Sequence, residues 1–313
     1  MNDALSPAGP AAADIGALFW AMTALGAVVF LVFCGALFYG LVHRRRPVDP
    51  PTPERDRRST RMILLLGGVI PAVILVPLFL WTIQTLGALD PASRRPDLVV
   101  EVVGKQWWWE VRYRDSIPAR TFVTANELHI PVGRRVELRL TSTDVIHSFW
   151  VPRLHGKTDL IPGRENISWI EADRPGEYGG QCAEYCGLQH THMGLLVVAQ
   201  PPEEFERWAA HQRTPAAEPA DSATRLGRQA FLTSACARCH AVRGTPAGGN
   251  AGPDLTHVAG RRTLAAGLLP NTPGHLGGWI ANPQALKPGS RMPRVPMSRE
   301  QFRLIHHYMQ TLR

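Results

Sequence analysis

The sequence predicts a multidomain chain built from a two-helix transmembrane hairpin, an all-β sandwich and an all-α domain. Three observations carry this reading. Residues 15–42 and 62–89 contain no charged side chain. Residues 97–200 break into short apolar-rich runs separated by Gly, Pro and Asp, the pattern of strands and turns. Beyond residue 225 the pattern turns helical, ending in the amphipathic stretch "SREQFRLIHHYMQTLR".

Each uncharged run exceeds the roughly 20 apolar residues that cross a bilayer. Residues 15–89 therefore form a hairpin with spans at 15–42 and 62–89, preceded by a tail over 1–14. The tail lacks a positively charged n-region, so no cleaved signal peptide is predicted. Pro71 and Pro77 should kink the second span, which a membrane helix tolerates. The loop between the spans, 43–61, holds Arg44, Arg45, Arg46, Arg55, Arg57, Arg58 and Arg61 against Asp49, Glu54 and Asp56. Short basic loops stay on the cytoplasmic side, so both termini are expected outside. This loop carries half of the formal net charge of +8. A nucleic-acid partner loses its basis.

The strand-rich region, with the helix expected at "PPEEFERWAAH", makes a domain over 90–213. "TPAAEPADSAT", 214–224, has the composition of a linker. The last domain spans 225–313, and Ser298 is placed to N-cap its closing helix.

Of the five cysteines, Cys34 falls in the first span and reads as an inert apolar residue. The others form two close pairs, Cys182/Cys186 and Cys236/Cys239, on the oxidising side, where disulfides are the default. The stretch "QCAEYCGLQHTHM", 181–193, argues for something else. A blue-copper centre takes two imidazoles, one thiolate and a weak axial ligand, and here there is one thiolate more. Two thiolates can bridge two soft copper ions, leaving each ion one imidazole and one weak ligand. His190 or His192 supplies one imidazole, and "TDVIHSFWVP" supplies His147 upstream. Met193 and a backbone carbonyl could fill the weak positions. His129 and His155 read as ordinary surface histidines. In the last domain, Cys236-x-x-Cys239-His240 is the c-type haem attachment pattern. The opposite axial ligand must come from Met292, Met297 or Met309, and a methionine there raises the potential.

His147 together with Cys182-Ala-Glu184-Tyr-Cys186, His190 and Met193 resembles the dinuclear copper (CuA) signature of cytochrome c oxidase subunit II. The two-span anchor and "GKQWWW" accompany it in the family order, and the resemblance covers residues 15–212. It implies a cupredoxin-like fold for the sandwich, with Cys182 and Cys186 bridging and His147 and His190 as imidazole ligands. Met193 and the backbone oxygen of Glu184 become the weak ligands, and the Glu184 carboxylate contributes to a magnesium site facing subunit I. His192 is then a neighbour of the centre or a surface residue. Trp107 matches the tryptophan through which electrons enter the copper site, at a donor-facing surface, whereas Trp108 and Trp109 read as packing residues. One departure stands out: "RRSTRMILLLGGVIP" lacks the glutamate that often serves a proton channel of subunit I.

Residues 225–313 resemble a class I cytochrome c. "LKPGSRMPRVPM" puts Met292 in the family's axial-ligand setting, with Met297 as its rival, while Met309 reads as core. "GPDL", 252–255, matches the loop that supports the proximal histidine, and Trp279 is expected near the haem edge. The combination implies an oxidase subunit II with a fused cytochrome c domain. It would sit in a bacterial inner (plasma) membrane, with copper and haem on the periplasmic side. Its expected partners are subunit I, subunit III and an upstream donor such as a soluble cytochrome c or a quinol-cytochrome c reductase. Electrons would pass through haem c and dinuclear copper to subunit I, where oxygen becomes water. The alternative is a membrane-anchored electron carrier or copper-handling protein with no catalytic partner. Nitrous oxide reductase would need a further catalytic domain, and quinol oxidase subunit II lacks the copper ligands kept here.

Overall fold

The computed structural model describes residues 3–43, 52–115 and 117–313. Arg44, Arg45, Arg46 and Asp49 of the basic loop lie outside them. The chain divides into two compact units, residues 13–93 and residues 1–12 with 94–313.

The first unit is helical. Helix α1 (Pro10–His43) extends the first predicted span at both ends. Helix α2 (Pro53–Leu64) starts at Thr52, whose hydroxyl accepts from Arg55 N at 3.4 Å. A π-helical turn, Leu65–Val69, joins α2 to α3 (Ile70–Leu89). The wide turn contains Gly67 and Gly68 and comes just before Pro71, which has no N–H to give the preceding turn. Two continuous helices result, Pro10–His43 and Pro53–Leu89, both long and apolar enough to cross a membrane. Large apolar side chains such as Phe30, Phe38, Ile63 and Phe79 are exposed along them, as lipid-facing residues would be.

The second unit carries the sandwich. Strands β1 (Leu98–Lys105), β2 (Trp108–Tyr113) and β3 (Phe122–Ala125) form a meander. They are followed by β4 (Glu127–Pro131), β5 (Val136–Ser142), β6 (His147–Trp150), β7 (Thr158–Leu160), β8 (Asn166–Ile170), β9 (Gly176–Cys182) and β10 (Gly194–Gln200). One five-stranded sheet runs β3-β2-β1-β5-β8 and the other β4-β10-β9-β6-β7. The β1–β5 and β4–β10 pairs are parallel, which links strands distant in sequence. Strand β5 shows the period-2 logic: Val136, Leu138 and Leu140 are buried while Glu137, Arg139 and Thr141 are not. The core they enter holds Val100, Trp109, Leu128, Ile130, Phe149 and Val197. Residues 98–113 form a β1–β2 hairpin, because the chain turns at Gln106–Trp107.

The Tyr113 hydroxyl ties the sheets together. It donates to His129 O at 2.7 Å and accepts from His129 N at 2.7 Å. His129 is therefore not a surface residue. Its ring stacks on Trp208 at 3.9 Å and meets Gln200 Oε1 at 2.8 Å. His155 is half-buried, edge-on to Trp169 at 4.9 Å. Both were drawn inward by aromatic neighbours that local spacing does not reveal.

Helix α4 (Pro202–Arg213) closes the sandwich. The haem-type domain starts with α5 (Ser222–Thr233), capped by Asp221 and so earlier than residue 225. Then come α6 (Cys236–Cys239), a two-stranded hairpin β11 (Thr263–Leu264) and β12 (Leu269–Pro270), α7 (Pro273–Ala281), α8 (Pro283–Leu286) and α9 (Arg299–Thr311). Ser298 and Gln301 form the capping box of α9. Gly227 lets α5 touch the α9 backbone at Leu304, where a Cβ would collide. Phe231, Ile305, Tyr308 and Met309 fill the contact.

Replacing Tyr113 by Phe should leave two backbone groups of the buried His129 without a partner, a loss of about 1–3 kcal/mol. A lower thermal midpoint for the sandwich, with secondary structure unchanged at 20 °C or so, checks this.

Candidate metal and haem centres

Strands β9 and β10 pair from Ala199↔Gly176 to Gly194↔Gln181, so the segment 182–193 is a loop closed at its base. Cys182 ends β9, His190 lies in a short 3-10 turn (His190–His192), and Met193 leads into β10. Strand β6 lies on the other side of β9 and presents His147, fully buried. Its ring crosses Gly104 so closely that a Cβ there would lie 2.7 Å from His147 Cδ2.

The donor atoms converge. Cys182 Sγ and Cys186 Sγ are 3.8 Å apart, nearly twice a disulfide bond of about 2.05 Å. His147 Nδ1 lies 3.9 Å from Cys182 Sγ, and His190 Nδ1 lies 3.7 Å from Cys186 Sγ. Met193 Sδ is 3.9 Å from Cys186 Sγ, and Glu184 O is 3.2 Å from Cys182 Sγ. Ligand atoms spaced this way can share ions with bonds of about 2.0–2.3 Å. Two soft thiolates, two imidazoles, a thioether and a carbonyl are a donor set for copper. The residues fit the group. His192 is exposed and points Nδ1 at Gln189 Oε1, 2.7 Å away. The Glu184 carboxylate pairs with Lys157 Nζ at 3.4 Å.

The thiols feel one another. The hydrogen bond from Cys186 pulls the Cys182 thiol down to about 3, against desolvation and with help from His147. Cys186 moves the opposite way, pushed up first by Cys182 and then by burial. Burial lowers the His147 pKa, but its hydrogen bonds to Cys182 and Asp144 outweigh this and raise it.

Asp144 is the residue that sequence reasoning missed. Its Oδ1 meets His147 Nε2 at 2.8 Å, which aims Nδ1 at the sulfurs, and its Oδ2 accepts from Gln106 N at 2.7 Å. A carboxylate three residues before a candidate ligand was the available signal. The same turn carries Trp107, whose Nε1 donates to Cys186 O at 2.9 Å, alongside Gln106 Nε2 at 2.8 Å. Trp109 is fully buried, its ring 6.1 Å from that of His147.

A cavity of about 730 Å³ lies where the last domain meets this turn. Cys236, Cys239, His240, Trp279 and Met292 line it. Both cysteines are free thiols. His240 Nδ1 hydrogen-bonds Pro253 O at 2.8 Å, leaving Nε2 as the free ring nitrogen. Gly252 backs the ring, since a Cβ there would sit 2.5 Å from His240 Cε1. Two thiols, an oriented imidazole and a thioether around an apolar slot fit a covalently attached haem. Met297 is not among the lining residues, whereas Met309 is both core and lining. Trp107 and Trp108 form part of the opposite wall. Trp107 thus faces the chain's own haem-type domain, and Trp108 borders the same cavity.

Two family descriptions match: "Cytochrome C oxidase subunit II, periplasmic domain" over residues 117–200 and "Cytochrome c" over 224–313. Cytochrome c oxidase subunit 2 of Alkalihalophilus pseudofirmus is 36% identical, covering 99% of this chain and 90% of the relative. The chain belongs to the cytochrome c oxidase subunit II family. The Bacillus subtilis subunit 2 is 28% identical over 88% of this chain and 82% of its own length. Among solved structures, the periplasmic domain of subunit II of cytochrome oxidase from Bradyrhizobium japonicum is 30% identical. It covers 38% of this chain and 96% of that one, with a TM-score of 0.36. Membership implies dinuclear copper in the sandwich, and the cytochrome c match implies haem in the last domain.

Met292→Ala should open the axial position of a haem bound here, lowering its potential and admitting carbon monoxide, while Met297→Ala should do little. Redox titration with carbon monoxide difference spectra reads this, and the reverse pattern would move the ligand to Met297.

Proposed function

We propose that this chain is the electron-entry subunit of a haem-copper terminal oxidase, passing electrons from an external donor through haem c and dinuclear copper to subunit I. The observation that carries the reading is the convergence of Cys182, Cys186, His147, His190, Met193 and the Glu184 carbonyl on one buried spot. When bound, copper and haem supply one-electron exchange; oxygen reduction to water belongs to subunit I.

The chain's own residues hold and connect the two sites. Cys182, Cys186, His147 and His190 would hold the copper, with Met193 and the Glu184 carbonyl beside them. Asp144 keeps His147 in its ligating tautomer, and Trp109 and Phe149 exclude water from beneath, their rings 5.9 Å apart. Cys236 and Cys239 would attach a haem, and His240 and Met292 would supply its iron ligands. Trp107 is the entry residue, because it borders the haem cavity and also hydrogen-bonds the Cys186 carbonyl. The helices Pro10–His43 and Pro53–Leu89 anchor the chain in a bacterial plasma membrane, and the basic loop puts the redox domains on the periplasmic side. Subunit I, and subunit III with it, are the expected assembly partners. A soluble cytochrome c or a quinol-cytochrome c reductase is the donor. Glu184, whose carboxylate is 43% exposed, is the residue placed to contribute to a magnesium contact with subunit I.

Changing Cys186→Ser in the assembled complex tests this. The mixed-valence copper signal should vanish, because one thiolate bridge cannot hold two copper ions in delocalised contact, and oxygen consumption should stop. Haem c should still be reduced by the donor, since its ligands lie in a separate core. Sustained oxygen consumption without the copper signal would remove copper from the path and overturn the reading.

A further inference from the structure

We propose that Lys287 is the latch that fixes the haem-bearing domain in one docked position on the copper-bearing domain, closing the haem cavity against the Trp107 turn. The lysine is 3% exposed although its side chain carries a charge. Its Nζ donates to Trp107 O at 2.9 Å, His192 O at 2.7 Å and Ala265 O at 3.0 Å. An ammonium has three N–H donors and no acceptor. Three carbonyls take all of them.

The origin of those carbonyls gives the contact its meaning. Trp107 lies in the turn between β1 and β2, His192 in the loop that carries the copper-type ligands, and Ala265 in the turn of the β11–β12 hairpin. One ammonium thus joins three chain segments from two domains. Burial draws its pKa down to about 8, with the Cys186 sulfur opposing, so the third proton is still present at neutral pH. Buried lysines are rare unless partnered. A shifted docking would strand the charge away from its acceptors, so the lysine selects one geometry more than it adds raw affinity.

Contacts on either side make the interface continuous. Gln189 Nε2 donates to Pro288 O, and Gly289, at φ +78°, lies so close to Leu188 that any Cβ would collide. Arg291 reaches Gln106 Oε1. Across the hairpin, Gly194 N donates to Ala266 O at 2.9 Å. Glu127, itself buried, accepts from Arg262 N at 2.6 Å and Thr263 N at 2.9 Å. Residues 287–291 run directly into Met292, so the segment that docks the domain also places the proposed axial ligand. Lys287 is a positioning residue: it touches neither centre, and it holds one against the entry route of the other.

Only the electron-transfer consequence rests on the proposed function; the docking stands on the chain's own bonds. The test compares wild type and Lys287→Met in the purified, metal-loaded oxidase complex. Hydrogen–deuterium exchange is followed in peptides spanning 190–196 and 260–266. Three carbonyls lose their Lys287 donor, so exchange in both peptides should accelerate together by about tenfold or more, while the two domain cores keep their protection. Flash-initiated transfer from haem to copper should slow, with both optical spectra unchanged. If the Met variant does not accumulate, Lys287→Gln, which keeps two donors, is read in the same way. Unchanged exchange at both peptides, or acceleration spread through both cores, overturns the latch. Absence of the copper spectrum in wild type would overturn the functional reading while leaving the exchange result to decide docking.

Discussion

Two sulfurs held 3.8 Å apart, buried and unbonded, are the constraint around which the second unit is organised. The distance is too long for a disulfide and too short for two independent thiolates, which is why one thiol falls to about 3 and its neighbour rises. Positive charge placed between them would relieve that conflict. The β9–β10 pairing sets the distance by closing the ligand loop at its base. Strand β6 brings His147 from the far side, Gly104 leaves room for its ring, and Asp144 turns it. The sandwich beneath is thus a frame whose one open end carries the chemistry.

The fused domain adds a second constraint. By composition, residues 214–224 read as a linker, and a linker alone would raise the local concentration of the haem-bearing domain without orienting it. The structure goes further. Buried Lys287, the Glu127 carboxylate and the Gly194–Ala266 backbone bond seat the domain on the copper loop. The linker still has work: Arg243 donates to Gln212 O, and His257 contacts Thr214 O at 3.1 Å, so the linker's start is held as well.

What could be read from the sequence was what depends on neighbours a few residues apart. The uncharged spans, the Cys-x3-Cys and Cys-x-x-Cys-His spacings and the Ser298 cap are local patterns with local causes. The tertiary meeting of His147 with Cys182, 35 residues away, was suggested by the need for a second imidazole and supported by resemblance to a family. Other features had no signal of that kind. Lys287 meets Trp107 across 180 residues, and nothing around "LKPGS" marks a lysine as buried. His129 looked superficial because the ring that covers it, Trp208, arrives with α4. The turn at Gln106–Trp107 falls within an aromatic, strand-like stretch, and strand preference alone does not mark where the chain reverses.

The central claim is that one chain holds two copper ions between its paired cysteines, beside one haem. Metal analysis of the purified wild-type complex, joined to electron paramagnetic resonance, tests this most directly. Once the metals of subunit I are subtracted, the account predicts two copper ions for each haem c iron and an unpaired electron shared equally by both copper nuclei. One copper per chain, or a signal localised on a single nucleus, would contradict it.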